Sequence, residues 1–334
     1  MFDKFMRRSA AAVVVALAGI APAQATSYTI TALNRPGYDV TSLWGINNSG
    51  QMVGYNAGGS LEFDQAFSYD GATFTSLTGP AGAIASNAVG ISDGGVVVGS
   101  YATSFSLEAD GSKVLDPGHG FIYASGNYTT FDVAGGVNTQ LRGISPDGRH
   151  LSGFYSDAGT GFRVGFVYDR VGDTLNIVGK ANSYFTIMQG INSSYVAVGS
   201  DLLTGPPTQR PGVIYDITMA TRTDVFLPGA FRIAFRDIDD AGNLAGWFVD
   251  ADGATHGFAG SVGSYDQIDF AGAVSTFLEG SNNAGVLVGH FDTRTQSQLG
   301  FIARPVPEPA TLALLVGGLG LMAWRRGHRA GRSG

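Results

Sequence analysis

The stretch Gly45-Ile46-Asn47-Asn48-Ser49-Gly50-Gln51-Met52-Val53-Gly54 decides the architecture, because the chain repeats it. Further copies are Gly90-Ile91-Ser92 with Gly95 and Gly99, and Gly143-Ile144-Ser145 with Gly148 and Gly153. A fourth is Gly190-Ile191-Asn192 with Gly199, where Tyr195 replaces the middle glycine. Asp237-Ile238-Asp239 keeps Gly242 and Gly246, and Gly280-Ser281-Asn282 keeps Gly285 and Gly289. The starts at 45, 90, 143, 190, 237 and 280 give a mean step of 47 residues. That period suits one four-stranded supersecondary unit that buries its apolar face only by stacking on a neighbour.

Outward from each copy, a second signature follows. It reads Gln65-Ala66-Phe67-Ser68-Tyr69, His119-Gly120-Phe121-Ile122-Tyr123 and Val164-Gly165-Phe166-Val167-Tyr168 in the first three units. It becomes Pro211-Gly212-Val213-Ile214-Tyr215, His256-Gly257-Phe258-Ala259 and Leu299-Gly300-Phe301-Ile302 in the rest. Residues two apart share one side of a strand. A third, alternating stretch ends in a turn, as in Tyr128 to Val133 before Ala134-Gly135. Each unit therefore reads as four short strands, with glycine supplying positive φ in the Asn-x-x-Gly turn. No 3.6-residue period appears in 26–303.

The sixth unit stops at Ala303 without a fourth strand, and Tyr28–Leu33 is a strand without a unit. Pairing the two removes a free sheet edge. The fold expected is all-β: a six-bladed β-propeller of ~47-residue repeats over 26–303, closed by the N-terminal strand. An open β-solenoid and a flattened pair of sandwiches are the alternatives.

Composition agrees with many short strands and tight turns. Glycine contributes 50 residues of 334, about twice ordinary usage, while proline stays at 12. Cysteine is absent, so no disulfide framework stabilises the chain and a packed core must. Net charge is −7 overall; the first 25 residues carry +2 and the tail from Ala310 carries +4, which leaves about −13 on 26–309. An acidic body repels nucleic acid and anionic lipid, which argues against both as partners.

The two ends read as targeting segments. Lys4, Arg7 and Arg8 precede the apolar run Ala10 to Ile20, and Ala23-Gln24-Ala25 fits small-x-small cleavage. Residues 1–25 are thus expected to be a signal peptide cut after Ala25. At the other end, a proline-rich linker covers 304–309 and an apolar segment covers 310–324, followed by Arg325 and Arg326. The arginines belong on the cytoplasmic side of a spanning segment.

Val306-Pro307-Glu308-Pro309-Ala310, an apolar stretch and terminal arginines resemble the PEP-CTERM sorting signal of Gram-negative bacteria, here over 306–329. A segment of this kind is also labelled the C-terminal region of ice-binding proteins. The resemblance implies an exosortase-type membrane protease as partner. It also implies export, anchoring by the C-terminal segment before processing, and delivery to the cell surface or extracellular matrix. The body lacks a regular Thr-x-Thr ladder that could template ice. The repeat itself is similar to HAF-type extracellular repeats. His119 and His256 keep that family's histidine, and Gln65, Val164, Pro211 and Leu299 replace it.

Candidate chemistry is sparse. His119 and His256 lie three units apart, on opposite sides of a ring of six, and read as strand residues that bond a neighbouring backbone. Asp250-x-Asp252-Gly253 resembles a calcium loop, but position 261 is Ser where the bidentate Glu is required, so a hairpin turn is expected. Asp237, Asp239 and Asp240 form an acidic cluster that could hold a cation or supply paired carboxylates, or could be solvated turn residues. No catalytic motif or cofactor-binding motif appears. The reading is a non-enzymatic exported protein that binds exopolysaccharide or surface proteins through its faces, with Tyr101, Phe105, Tyr155 and Phe162 as candidate stacking aromatics. The alternatives are a polysaccharide-acting enzyme with carboxylates near the axis, and a cation-stabilised adhesion module.

Overall fold

The computed structural model describes residues 27–306, apart from 109, 111, 117 and 204–209. Among the described residues there is no helix, so none is long and apolar enough to cross a membrane. The expected signal peptide, its Ala23 and Ala25, the span 310–324, and the sorting residues from Pro307 to Arg326 lie outside the described residues.

Strand β1 is Tyr28–Ala32. The first unit follows as β2 (Val40–Ile46), β3 (Met52–Ala57), β4 (Gln65–Tyr69) and β5 (Phe74–Leu77). Next come β6 (Ala85–Ile91), β7 (Val97–Ala102), the short β8 (Phe105–Leu107) and β9 (Lys113–Leu115), β10 (His119–Ala124) and β11 (Asn127–Phe131). The third unit is β12 (Gly136–Ile144), β13 (His150–Asp157), β14 (Arg163–Asp169) and β15 (Thr174–Ile177). The fourth is β16 (Ser183–Ile191), β17 (Val196–Leu203), β18 (Gly212–Asp216) and β19 (Thr221–Val225). The fifth is β20 (Arg232–Ile238), β21 (Leu244–Val249), β22 (Thr255–Ser261) and β23 (Ser264–Ile268). The chain ends with β24 (Ser275–Ser281), β25 (Leu287–Asp292) and β26 (Leu299–Pro305).

Within each unit consecutive strands pair antiparallel, β8 and β9 forming a separate hairpin. Single parallel bridges at Thr41↔Leu299, Arg163↔Phe185 and Thr255↔Ser275 join some units into larger sheets. β1 pairs antiparallel with β26, from Tyr28↔Pro305 to Ala32↔Phe301. The first strand of each unit ends at the Gly-Ile pair or its equivalent, as the repeat predicts. The inserted β8–β9 hairpin was not predicted; its six residues are all exposed, so no burial pattern announces it.

Among the described residues the apolar core is divided into six clusters, each shared by two units. Val53 and Ala66 of the first unit pack with Ala88 and Phe121 of the second. Val98 packs with Leu141 and Phe166, Val167 with Met188 and Val213, and Val198 with Phe235 and Phe258. Ala245 and Ala259 pack with Leu278 and Phe301, and Val288 and Ile302 pack back onto Leu43 and Phe67. The Phe of the second signature is thus the buried centre of five clusters, with Val213 in its place in the fourth unit. Removing such a ring costs about 3–5 kcal/mol.

Candidate binding site

The repeated glycine that opens each copy sits where the first strands come together. A Cβ on Gly45 would stand 3.3 Å from Gly90 Cα, one on Gly90 would stand 3.1 Å from Gly143 Cα, and one on Gly280 would stand 3.2 Å from Gly45 Cα. Just before this glycine, or the Asp237 that replaces it, the pairing of first and second strands slips, as between Leu43 and Gly45 or Phe235 and Asp237. The slip recurs in all six units. A bulge of this kind leaves one residue unpaired and re-aims its side chain. The residues so released are Trp44, Val89, Arg142, Gln189, Arg236 and Glu279, and all six line one central cavity of about 60 Å³.

Charge is unevenly distributed there. Glu279, 4% exposed, takes Arg236 in a two-pronged ion pair, Nε to Oε2 at 2.6 Å and Nη2 to Oε1 at 3.1 Å. Arg236 and Arg142 also lie over the Trp44 ring, at 4.9 and 4.7 Å from its centroid. Trp44 Nε1 donates to Ser42 Oγ at 2.9 Å, and the same hydroxyl meets His290 Nδ1 at 3.1 Å. Burial, with Arg236 second, holds the His290 imidazole down at about 3. Burial pushes the neighbouring Tyr55 phenol up to about 12.

The acidic cluster of the fifth unit separates into three roles. Asp237 occupies the opening glycine position of the repeat and accepts from Ser281 N at 2.7 Å and Ile238 N at 2.9 Å. Burial raises it to about 7, against the lowering effect of those two amides. Asp239 caps its own turn through Asn243 N at 2.7 Å. Asp240 accepts from Ser193 N at 2.7 Å in one neighbouring unit and from Asn283 Nδ2 at 2.6 Å in the other. The repeat spacing already puts Asp237 at the glycine position, and strand pairing shows that its carboxylate is held there by main-chain amides rather than by its own turn. Among the described residues no group of three or more His, Cys, Asp or Glu is placed to hold a metal ion.

The turns form a hydrogen-bonded belt around this end. Asn47, Ser92, Ser145, Asn192, Asp239 and Asn282 each cap their own turn, for example Gln51 N to Asn47 Oδ1 at 2.9 Å and Val96 N to Ser92 Oγ at 3.0 Å. Where the residue is Asn, its amide also donates to the next unit. Asn47 Nδ2 reaches Ser92 O at 3.0 Å, Asn192 Nδ2 reaches Asp239 O at 3.1 Å, and Asn282 Nδ2 reaches Asn47 O at 3.1 Å. Asp93 N to Pro146 O and Tyr195 OH to Asp147 Oδ2 link the second to the third and the third to the fourth unit.

A larger pocket lies at the opposite ends of the strands, between the second and third units. It encloses about 300 Å³ beside the inserted hairpin. Its wall includes Asn87, Ser100, Tyr101, Asp116, Asn138 and Gln140. Asn138, at φ 53, accepts from Gly118 N at 3.1 Å and Gln140 Nε2 at 3.3 Å. The buried Asn87 Oδ1 has no partner. Asp116 is tied by Ser104 and Ser106 hydroxyls, and those bonds hold its carboxyl below the usual range. Of the candidate aromatics, Tyr101 is buried and bonds Thr130 Oγ1 at 2.7 Å. Tyr155 is half-buried. Phe105 is exposed under Lys113, and Phe162 packs edge-on against exposed Tyr184 at 5.0 Å.

His119 and His256 each bond an aspartate at the end of the next strand, Asp132 and Asp269, through Nδ1 at 2.8 Å. Asp250 closes the turn at Asp252 and Ala254 and also reaches His256 Nε2 at 3.4 Å.

No curated protein matches the chain. Similar solved structures include TolB from Acinetobacter baumannii, at 12% identity and a TM-score of 0.46, over 78% of this chain and 65% of that one. The β-propeller domain of the Trilobed protease from Pyrococcus furiosus aligns at 9% identity and a TM-score of 0.45, over 80% of this chain and 94% of that one. The Aleuria aurantia lectin, a six-bladed β-propeller, aligns at 13% identity and a TM-score of 0.39, over 68% and 78%. Residues 305–327 match the PEP-CTERM protein-sorting motif, and that motif implies export and surface sorting.

Proposed function

We propose that the chain is an exported, non-enzymatic carbohydrate-binding protein of the cell surface or extracellular matrix, built as a closed six-bladed propeller. Support for the ring is the run of shared core clusters and belt bonds that returns from the sixth unit to the first. Support for binding is the 300 Å³ pocket beside the hairpin, within the size range of small-molecule sites. Its neutral amides and hydroxyls suit a ligand made of hydroxyl groups, and the Asp116 carboxylate suits a pair of them. The 60 Å³ axial cavity is far below the size a sugar ring needs at a hydrolytic centre, which favours binding over catalysis.

The strand directions orient the molecule. β26 ends at Pro305 on the belt side, beside Gly285, and Val306 N bonds Ser27 O at 2.8 Å. A sorting segment leaving there would anchor the belt towards the membrane before an exosortase-type protease acts, and the pocket would face outward. The test is retention of the exported protein on the producing cell's exopolysaccharide. Asn87→Leu and Gln140→Leu should each release it at least about tenfold more easily. Equal retention of both variants and the parent would sink the assignment.

A further inference from the structure

Arg142 and Arg236 face the cavity, whose wall also carries Glu279, Asp93, Asp237, Asp239 and Asp240, and the one ion pair among them joins Glu279 to Arg236. Glu279 Oε1 accepts from Arg236 Nη2, and its Oε2 lies 2.6 Å from Arg236 Nε in the ion pair. Arg142 makes no ion pair among the described residues, and its Nε is buried without a hydrogen-bond partner. The Gln189 side chain, 2% exposed, projects from the equivalent bulge of the next unit with its Nε2 also unpartnered. A cation shielded from water without compensation costs several kcal/mol. Buried donors without acceptors add to that cost.

We propose that this cavity is an anion site, in which Arg142 and Gln189 hold a carboxylate-sized monoanion. The Arg142 guanidinium lies over the Trp44 ring, a contact that uses up no N–H, and its Nε stays without an acceptor. The cavity of about 60 Å³ has room for a few waters or one small anion, and not for a sugar ring. The other acidic groups on its wall are already engaged in hydrogen bonds. Asp237 takes two main-chain amides, Asp93 takes Asn48, Asp239 takes Asn243, and Asp240 takes Ser193 and Asn283. Burial, reinforced by Arg236, draws Arg142 down to about 9, the direction an incoming anion would reverse.

The inference is independent of the carbohydrate pocket and is tested separately. The full chain is titrated with sodium formate against sodium gluconate, which is too large to enter, at constant ionic strength. Tryptophan emission and the thermal unfolding midpoint are followed. Formate should shift both saturably, and gluconate should not. Arg142→Gln should abolish both shifts. Gln189→Leu, which leaves the charge in place, should weaken the formate midpoint about tenfold. Equal responses to the two salts, or a formate response that survives Arg142→Gln, would overturn the site.

Discussion

Asn282 donates its Nδ2 to the main-chain carbonyl of Asn47, 3.1 Å away and 235 residues earlier in the chain. The same side chain accepts from Val286 N at 3.1 Å, so one residue both closes its turn and ties the last repeat to the first. Asn47 and Asn192 do the same towards their own neighbours. This explains Asn in the repeat better than turn propensity alone. Ser92 caps equally well and lacks the second donor, and there Asp93 N supplies the link to Pro146 O.

The two duties of Asn282 can be separated. Asn282→Ser keeps a capping oxygen and removes the amide donor, and should cost about 1 kcal/mol. Asn282→Ala removes both and should cost about 2 kcal/mol. Urea midpoints at an unchanged m-value provide the measurement, and equal midpoints for the two variants would refute the division.

Loss of β1 should be worse than loss of any belt bond. Without Tyr28–Ala32, β26 becomes a free edge from Phe301 to Pro305, and Tyr28 and Ile30 no longer cover the cluster around Phe301. A chain beginning after Leu33 should unfold at a lower denaturant concentration and associate through the exposed edge. Light scattering at several protein concentrations reads the second effect directly.

The repeat's glycines serve different physical ends. A Cβ on Gly99 would stand 1.9 Å from Asn87 O, so Gly99→Ala should cost more than about 3 kcal/mol. The middle glycine instead supplies a left-handed turn, and Tyr195 adopts φ 59 in its place. Tyr195→Gly should relieve the strain of this φ and give up the 2.8 Å bond to Asp147, so the two effects oppose and stability should change far less than in Gly99→Ala. Denaturation curves for the pair give the contrast.

Asp237 and His290 should oppose each other in pH dependence. Asp237 is raised from 3.8 to about 7, so its contribution is complete below the lower value and is lost as pH rises through the higher one. The loss is at most about 4 kcal/mol, since the side chain borders a cavity that admits water. His290 is lowered from 6.5 to about 3, so its contribution is complete above 6.5 and is lost as pH falls. Between about 4 and 6.5 the two slopes partly cancel. Asp237→Asn should leave stability rising with pH across that window, and His290→Gln should leave it falling. Unfolding midpoints from pH 4 to 8 test both signs.

Much of this architecture is legible in the sequence because it depends on contacts close along the chain. Glycine at positive φ, Asn or Ser at the turn cap, and apolar residues two apart each declare a local conformation. Their recurrence places the strands and the buried Phe of the second signature. The orphan strand Tyr28–Ala32 was legible too, as a strand without a unit beside a unit lacking one.

The cavity residues were not legible. Trp44, Val89, Arg142, Gln189, Arg236 and Glu279 hold one repeat position, directly before each opening glycine or Asp237, but only two of them share a side-chain type, so that position carries no chemical signature. They meet because strand pairing slips by one residue ahead of each opening glycine or its Asp237 equivalent, and a slip is a relation between two strands. The amide-lined pocket likewise needed the second and third units brought side by side, with an exposed hairpin inserted next to them. Spacing along one chain determined the repeating unit and its turns. Only the packing of six units decided which unlike side chains face one another, because that choice is set by distances across space between residues far apart in sequence.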